Sequence, residues 1–410
     1  MAAGPKLSRQ AVAAAAPPPT GPEKEDLFPI DKLEKTSFAG NGFNLIFRPR
    51  HTGRPNFVDT DAGPDDNILE LNLTTEQWTF DKALGAIPNR GLFEQKDVNL
   101  GGIPYVQTVQ KVTDETTGRG SSLQPEGIHF EPGVFLTVPQ TKDVGASVVR
   151  MASIPHGTTI NAQGLKPSRK PVPRAPNFDD KANVVDTTPF PIGERKGPRT
   201  LGKKFKSMNA AEKNSLRIPA DLGPFGEKRP GSTSGGTGTI TTAIIKNPNL
   251  VLKTALNGLN VAEHITFSVS TGGPGSGAEL NGGGTANIAF LAGPQPKETI
   301  ATPSQPTAHA AHVSSRFWIE TVLYEVVVPA LPRDDPVQLR PNMPKDSTAP
   351  TPVFLIKPPS GGNPKIKTIT VPGIQLQYSQ NVDLNFAGLT WPHVSVATLV
   401  PTTPQPFQMK

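Results

Sequence analysis

The sequence predicts an all-β protein, a single antiparallel, largely up-and-down β-barrel of about ten strands with long loops and a central insertion. Glycine (39) and proline (46) together make up about a fifth of the 410 residues, and aromatic residues only 6%. Such a composition favours turns over helices. Strand-like segments recur along the chain between clusters of Gly, Pro, Asn and Asp. Closing these strands into one barrel would remove exposed sheet edges, and a β-sandwich is the alternative.

The clearest strand pair lies near the C-terminal end of the chain. Over residues 374–386, apolar residues alternate with polar ones, which is the period of a strand with one buried face and one wet face. Residues 389–399 form the returning strand. In it His393 shares a strand face with the small residues Ser395 and Ala397. His393, with an aromatic residue beside it, is therefore expected to look over a low surface that leaves room for a flat ligand.

The strands are expected to form one domain, residues 38–402, because neither half of the chain holds enough strands to bury its apolar faces alone. Residues 1–37 are predicted to be a disordered arm, with a short capping helix near residues 28–33. Residues 165–237 lose all periodicity and predict a loop-rich, basic insertion. Residues 403–410 are predicted to be a tail.

The chain resumes its pattern after the insertion. Residues 239–245, rich in Thr and Ile, predict a strand. Residues 248–256 are the only good helix candidate, with Asn247 as the N-cap and Gly258 in the stop signal.

Composition narrows the possible functions. The chain has no cysteine, which excludes disulfides, thiolate catalysis and cysteine metal sites. No apolar run approaches the length of a membrane span, so we expect a cytoplasmic protein without membrane partners. The formal charge of +6 is concentrated in residues 166–206, where aromatic residues that could stack on bases are scarce. This stretch predicts a solvated basic loop and no nucleic-acid partner.

Catalytic motifs are scarce. The sequence has no Gly-x-Ser-x-Gly elbow and no His-Glu-x-x-His. Glu131 and Glu320 lie within otherwise apolar strands, where burial would raise the pKa of a carboxyl group and suit it to acid–base work. Glu320 has the strand parity of Trp318 and Tyr324, and His129 has the parity of Glu131.

The closing strands resemble the end of the nitrobindin-like heme-binding β-barrels, calycin-type relatives of the fatty-acid-binding proteins and lipocalins. In that family the last strand carries the heme ligand in a pattern like His-hydrophobic-x-Ala-x-Leu, and residues 393–399 read HVSVATL here. A second, weaker similarity covers residues 128–135, which look like a mid-barrel His-x-Glu-x-Gly-aromatic segment of the same group.

The resemblance implies a b-type heme whose iron is ligated by Nε2 of His393. It further implies gas binding or weak peroxidase-like activity, depending on the polarity of the pocket. Peroxidase chemistry needs a distal acid–base group, for which His129, Glu131 and Glu320 are the candidates. Arg150 would then steady the leaving hydroxide.

Two other functions remain open from the sequence. The first is a non-catalytic carrier of an apolar small molecule, with a lumen lined by Trp318, Phe386 and Trp391 and with His393 as a structural residue. The same three aromatic residues are the expected neighbours of a heme ligated by His393. The second alternative is an interaction or structural protein whose barrel is filled by large side chains.

Overall fold

The structure is a computed structural model that describes residues 26–49, 67–113, 124–142, 144–154, 157–192, 240–272, 284–287, 309–386 and 389–409. Its elements in chain order are the 3-10 helix η1 (Asp31–Leu33), β1 (Ser37–Pro49), β2 (Asn67–Phe80), β3 (Ile87–Asn89), β4 (Val98–Lys111), β5 (Glu126–Val138), β6 (Ser147–Ser153), β7 (Thr158–Leu165), the 3-10 helix η2 (Lys181–Asn183), β8 (Phe190–Pro191), α1 (Thr242–Lys246), α2 (Leu250–Ala255), β9 (Asn260–Ser270), β10 (Gly284–Asn287), β11 (His309–Val328), β12 (Val337–Leu339), β13 (Phe354–Lys357), β14 (Lys367–Phe386), β15 (Leu389–Pro401) and β16 (Gln405–Gln408). None of the helices among these residues is long and apolar enough to cross a membrane.

Ten antiparallel strands form a closed barrel, which confirms the predicted fold class. The ring follows the order β1-β2-β4-β5-β6-β7-β9-β11-β14-β15 and closes where β15 pairs with β1. Ring strands that follow one another along the chain are neighbours, so the connectivity is up-and-down. The predicted C-terminal pair is also confirmed, because β14 and β15 pair from Leu376↔Leu399 to Phe386↔Leu389.

Large side chains fill the part of the lumen nearest the start of β1. This aromatic core consists mainly of Phe38, Trp78, Phe80, Ile103, Tyr105, Phe135, Phe267, Phe317, Leu376, Tyr378 and Leu399. The Trp78 and Tyr105 rings stack with their centroids 5.3 Å apart, and those of Phe267 and Phe317 stack at 5.0 Å. Inward-facing side chains thus occupy this part of the barrel as a packed core.

A short plug closes the barrel at the end where β1 begins. The chain turns through η1, and Ile30 and Leu33 pack into the aromatic core with exposures of 0% and 2%. The backbone of Phe80 donates to the carbonyl oxygen of Thr36 at 3.0 Å, which ties the segment after η1 to the end of β2. The sequence-predicted cap near residues 28–33 therefore corresponds to a structural element.

Truncating the plug is expected to destabilise the barrel. Ile30→Ala removes buried methyl and methylene groups from the core, and we expect the free energy of unfolding to fall by about 2 kcal/mol. Urea unfolding followed by tryptophan fluorescence measures this loss. The exposed neighbour Lys32 provides the control, Lys32→Ala, and equal stability of both variants would contradict the role of the plug.

The outer face of the barrel is also covered. Residues 171–190 and helices α1 and α2 pack on β1, β2, β11 and β15 through a cluster that contains Phe43, Phe178, Leu252 and Trp318. This cover corrects one prediction: the polar face of β14 is not wet, since Gln375 and Gln377 are fully buried. The strand predicted over residues 239–245 is wrong as well, because helix α1 occupies this position.

A small second sheet packs on the outside of the ring. It has the order β12-β13-β16 and contributes Phe354 and Ile356 to a cluster with Tyr324 of β11. The residues predicted to be a tail therefore include a strand, β16, and Met409 after it is 5% exposed. Two predicted segments lie partly outside the described residues, namely residues 1–25 of the arm predicted over 1–37 and residues 193–237 of the insertion predicted over 165–237.

Candidate functional site

Polar side chains follow the aromatic core along the lumen, towards the end of the barrel opposite the plug. We call them the polar lumen; they are Asn44, Thr74, Glu76, Gln107, His129, Glu131, Arg150, Ser315, Gln380, His393 and Ser395. Each lies an even number of residues from an aromatic-core residue on its own strand, or bonds to a side chain that lies so. Side chains two residues apart share a strand face, so these residues point inward.

An ion pair between Arg150 and Glu131 forms the centre of the polar lumen. Arg150 Nη2 lies 2.6 Å from Glu131 Oε1, and both side chains are fully buried. Arg150 Nη1 donates to Ser315 Oγ at 3.0 Å and to Gln380 Oε1 at 2.5 Å, while Nε donates to Tyr105 Oη at 2.9 Å. The guanidinium carbon also lies 5.4 Å from the centroid of the Trp78 ring. This arginine thus joins four strands around the lumen.

The ion pair keeps Glu131 charged. Burial alone would raise the pKa of Glu131, but the Arg150 charge, together with hydrogen bonds from His129 and Tyr105, lowers this pKa to about 2. Burial likewise opposes the charge on Arg150, and Glu131 and Tyr105 outweigh it by raising the pKa of the guanidinium. Both groups are therefore ionised at neutral pH and satisfy one another.

A second carboxyl group in the lumen behaves differently. Glu76 Oε2 accepts from Tyr378 Oη at 2.6 Å and from Gln107 Nε2 at 3.3 Å, and Oε1 accepts from Thr74 Oγ1 at 3.1 Å. Without an arginine beside it, burial dominates and raises the pKa of Glu76 to about 7, although these donors oppose the shift. The lumen thus holds one carboxylate that stays charged and one carboxyl group that titrates near neutral pH.

His129 lies between the two carboxyl groups. Its Nε2 is 3.2 Å from Glu131 Oε2, and its charge acts on the pKa of Glu76 as well as on that of Glu131. The predicted pairing of His129 with Glu131 is therefore present, and Arg150 joins it. Three of the four predicted catalytic residues lie together.

His393 lies further towards the far end of the lumen and is half-buried. Asn44 Nδ2 lies 2.9 Å from His393 Nε2 and 2.6 Å from Ser395 Oγ. Because an amide nitrogen only donates, Nε2 accepts this bond with its lone pair, which is therefore directed at Asn44. That is the form in which an imidazole ligates a metal.

An apolar wall adjoins His393. Val382 is its direct partner across β14 and β15, and Val382 packs with Ile160, Ala310 and Val313 in one buried cluster. The far end of the lumen therefore combines an imidazole, an amide and a hydroxyl group with a wall of branched aliphatic side chains.

The structure separates the remaining predicted residues from His393. Trp318 lies on the outer face of β11, where its ring centroid is 5.0 Å from that of Phe178. Trp391 packs on Phe47 in the same outer cluster, with centroids 5.1 Å apart. Neither tryptophan lines the lumen, so the expectation that they do is wrong. Phe386 ends β14, and its side chain lies outside what the structure describes.

Glu320 also lies on the outer face, and this separates it from His129, Glu131 and Arg150. It shows no exposure, as its parity with Trp318 indicates, and burial raises its pKa to about 8 against one hydrogen bond from Gln375. The predicted burial and the direction of the pKa shift are correct. The predicted membership in a lumen site is wrong, because residues of even number in this part of β11 face outward.

Three residues of the polar lumen were not predicted from the sequence: Glu76, Gln107 and Ser315. One signal could have found Glu76, which is two residues before Trp78 on an otherwise apolar face of β2. A carboxyl group on the face of a buried tryptophan is a candidate for a shifted pKa. Gln107 and Ser315 carry no comparable signal, because neutral polar residues are common on either face of a strand.

The described residues contain no group of three or more His, Asp or Glu side chains arranged to hold a metal ion. Comparisons with family models, with curated proteins and with solved structures found no match.

Proposed function

We propose that the far end of the lumen binds a b-type heme through His393 and that the protein binds a small ligand there rather than converting it. The observation that supports this proposal is the position of His393 Nε2, which accepts a hydrogen bond from Asn44 next to the aliphatic wall that contains Val382 and Val313. An imidazole next to an apolar wall suits the iron and the ring of a heme. When bound, heme would supply a site for a diatomic gas or for peroxide.

Heme binding at this site would require one rearrangement. Asn44 must release Nε2 of His393 for that nitrogen to bind iron, and Ser395 remains as a second acceptor for the amide. Asn44 Oδ1 is buried without a hydrogen-bond partner among the described residues. A buried amide with one unsatisfied oxygen costs free energy in its present position, which favours its reorientation.

The polar lumen supports binding better than peroxide turnover. A distal acid must hold a proton near neutral pH, and the low pKa of Glu131, about 2, prevents this for Glu131. Glu76 has a pKa raised to about 7, but its carboxyl group is already engaged by Tyr378, Gln107 and Thr74. The Arg150 guanidinium already donates to Glu131, Tyr105, Ser315 and Gln380, so it has little capacity left for a leaving hydroxide. We therefore assign this ion pair to holding the barrel together.

A heme titration tests the proposal. We expect stoichiometric hemin to give a sharp Soret band with the wild-type protein, and His393→Ala to weaken hemin binding at least tenfold and to shift the band. His129→Gln is the matched control, because it removes the other imidazole of the lumen and leaves His393 in place.

The controls separate the possible outcomes. A band that survives in His393→Ala but is lost in His129→Gln would make His129, and not His393, the iron ligand and would overturn the proposal. The absence of any band with the wild-type protein would reject heme and leave the carrier of an apolar molecule. That carrier would have the aliphatic wall as its lining, without the two tryptophans.

A further inference from the structure

A cavity of about 330 Å³ lies outside the barrel, between the ring and the two helices. The helices α1 and α2 that frame it pack on the outer face, and one residue of the polar lumen, Thr74, is also in its lining. Its lining consists of Asn41, Gly42, Phe43, Leu73, Thr74, Thr75, Val112, Ile240, Ile244, Val251, Thr254, Thr348 and Thr398.

Side-chain hydrogen bonds hold the frame of the cavity in place. Gln377 Nε2, from the barrel wall, donates to the carbonyl oxygen of Leu252 in α2 at 3.0 Å. Ser347 Oγ donates to the carbonyl oxygen of Ala255 at 2.6 Å and so fixes the end of the same helix. Thr241 caps α1 through the backbone N–H of Ile244. These bonds fix the position of the helices on the wall, so the cavity is preformed.

The lining selects against charged ligands. The described residues of the lining include no Asp, Glu, Lys, Arg or His, and the apolar ones include Phe43, Leu73 and Val251. Burying an ion there would leave its charge without a partner among these residues, which is strongly unfavourable. An uncharged molecule with mostly apolar surface suits this environment.

One buried hydroxyl group in the lining, that of Thr398, has a proton to donate. Thr398 Oγ1 accepts from Gln377 Nε2 at 2.7 Å, so its own proton points elsewhere, and within the described part of the chain no acceptor for it is found. Thr254 and Thr74 differ, since their hydroxyl groups donate to the Leu250 carbonyl oxygen and to Glu76. A ligand with a carbonyl or ether oxygen would complete the hydrogen bonding of Thr398.

The volume sets the size of the ligand. An engineered apolar cavity of about 150 Å³ holds one benzene ring, and natural small-molecule sites begin at about 300 Å³. The present cavity, at about 330 Å³, therefore matches a molecule of about two rings.

We propose that this cavity binds an uncharged, mostly apolar molecule of about two rings that accepts a hydrogen bond from Thr398. The site is independent of the heme proposed for the lumen. It gives the chain a second ligand on the outer face, held between the barrel wall and α2.

Acetonaphthone, an uncharged two-ring ketone, provides the first test, with binding measured by calorimetry on the full chain. Val251→Trp fills the cavity and is expected to weaken binding at least tenfold. Lys246→Trp puts the same side chain on an exposed position of α1 and is expected to leave binding unchanged, as is His393→Ala. Absent binding to wild type, equal loss in Lys246→Trp, or loss in His393→Ala would each overturn the proposal.

A second comparison tests the hydrogen bond and decides the matter if Val251→Trp does not fold. Thr398→Val keeps the shape of the lining and removes the donor. We expect it to weaken acetonaphthone about tenfold and to leave ethylnaphthalene, which lacks the oxygen, within twofold of its wild-type affinity. Equal effects on both compounds would overturn the assignment of Thr398.

Discussion

Replacing Arg150 by methionine is expected to lower the free energy of unfolding by about 3–5 kcal/mol. The substitution keeps much of the side-chain volume but leaves the Glu131 carboxylate fully buried without its cation. It also removes the donor to Ser315 Oγ and one of the two donors to Gln380 Oε1. The cost comes mainly from the uncompensated charge, because a buried ion pair is worth far less than the penalty of breaking it.

A double-mutant cycle distinguishes this cause from loss of packing. Arg150→Met combined with Glu131→Gln removes both charges, and we expect it to recover about half of the lost stability or more. Urea unfolding at neutral pH, followed by far-UV circular dichroism, measures all four proteins. A double variant less stable than Arg150→Met alone would show that packing around the guanidinium, rather than the stranded charge, sets the cost.

The sequence was most informative about the strands that close the barrel. Period-2 alternation over residues 374–386 predicts both β14 and the face it turns to the lumen, because Leu376 and Tyr378 pack in the core. His393, Ser395 and Ala397 share a face, as expected for side chains two residues apart, whereas Trp391, two residues before His393, packs in the outer cluster. The pairing of His129 with Glu131 follows from the same rule.

The sequence pattern does not distinguish the inward face of a long strand from the outward face when both faces are buried. Trp318 and Glu320 read as lumen residues because the covering segments, residues 171–190 and α2, are distant in the chain. Helix α1 is part of the same cover. Its Thr and Ile residues favour a strand, but as a helix it buries Ile245 fully against the barrel. Tertiary contacts therefore decided both points.

The contacts of Arg150 also join residues that are far apart in the sequence. Its partners Ser315 and Gln380 are 165 and 230 residues away along the chain. No local pattern links these positions, and only closure of the ring brings them to one layer. The pattern of one sequence thus predicts pairs of residues on one strand but not pairs across the lumen.

Glu320→Gln is expected to make the stability of the protein less dependent on pH between about 5 and 9, with a stabilising effect on the order of 4 kcal/mol at the alkaline end. Glu320 is fully buried on the outer face, and its Oε2 accepts from Gln375 Nε2 at 2.5 Å. Glu320 Oε1 and Gln375 Oε1 are both without a partner among the described residues. A proton on the carboxyl group would let Glu320 donate, which glutamine can do at every pH.

The sign follows from the direction of the pKa shift. Burial raises the folded-state pKa of Glu320 from its ordinary 4.5 to about 8. The stability that this neutral carboxyl group contributes is therefore fully present below about pH 4.5 and is lost as the pH rises through about 8. Glu76, with its pKa raised to about 7, adds its own loss of stability with rising pH, and the Glu320→Gln variant retains this loss.

Urea unfolding at a series of pH values between 5 and 9 measures the difference between wild type and variant. We expect the two curves to meet near pH 5 and to separate steadily until about pH 8, with the variant more stable. Glu325→Gln, an exposed position on the same strand, is the matched control and should follow the wild-type curve. If Glu320→Gln runs parallel to wild type over the whole range, Glu320 has no shifted pKa, and its burial must be relieved by a contact with water or by local opening of α2.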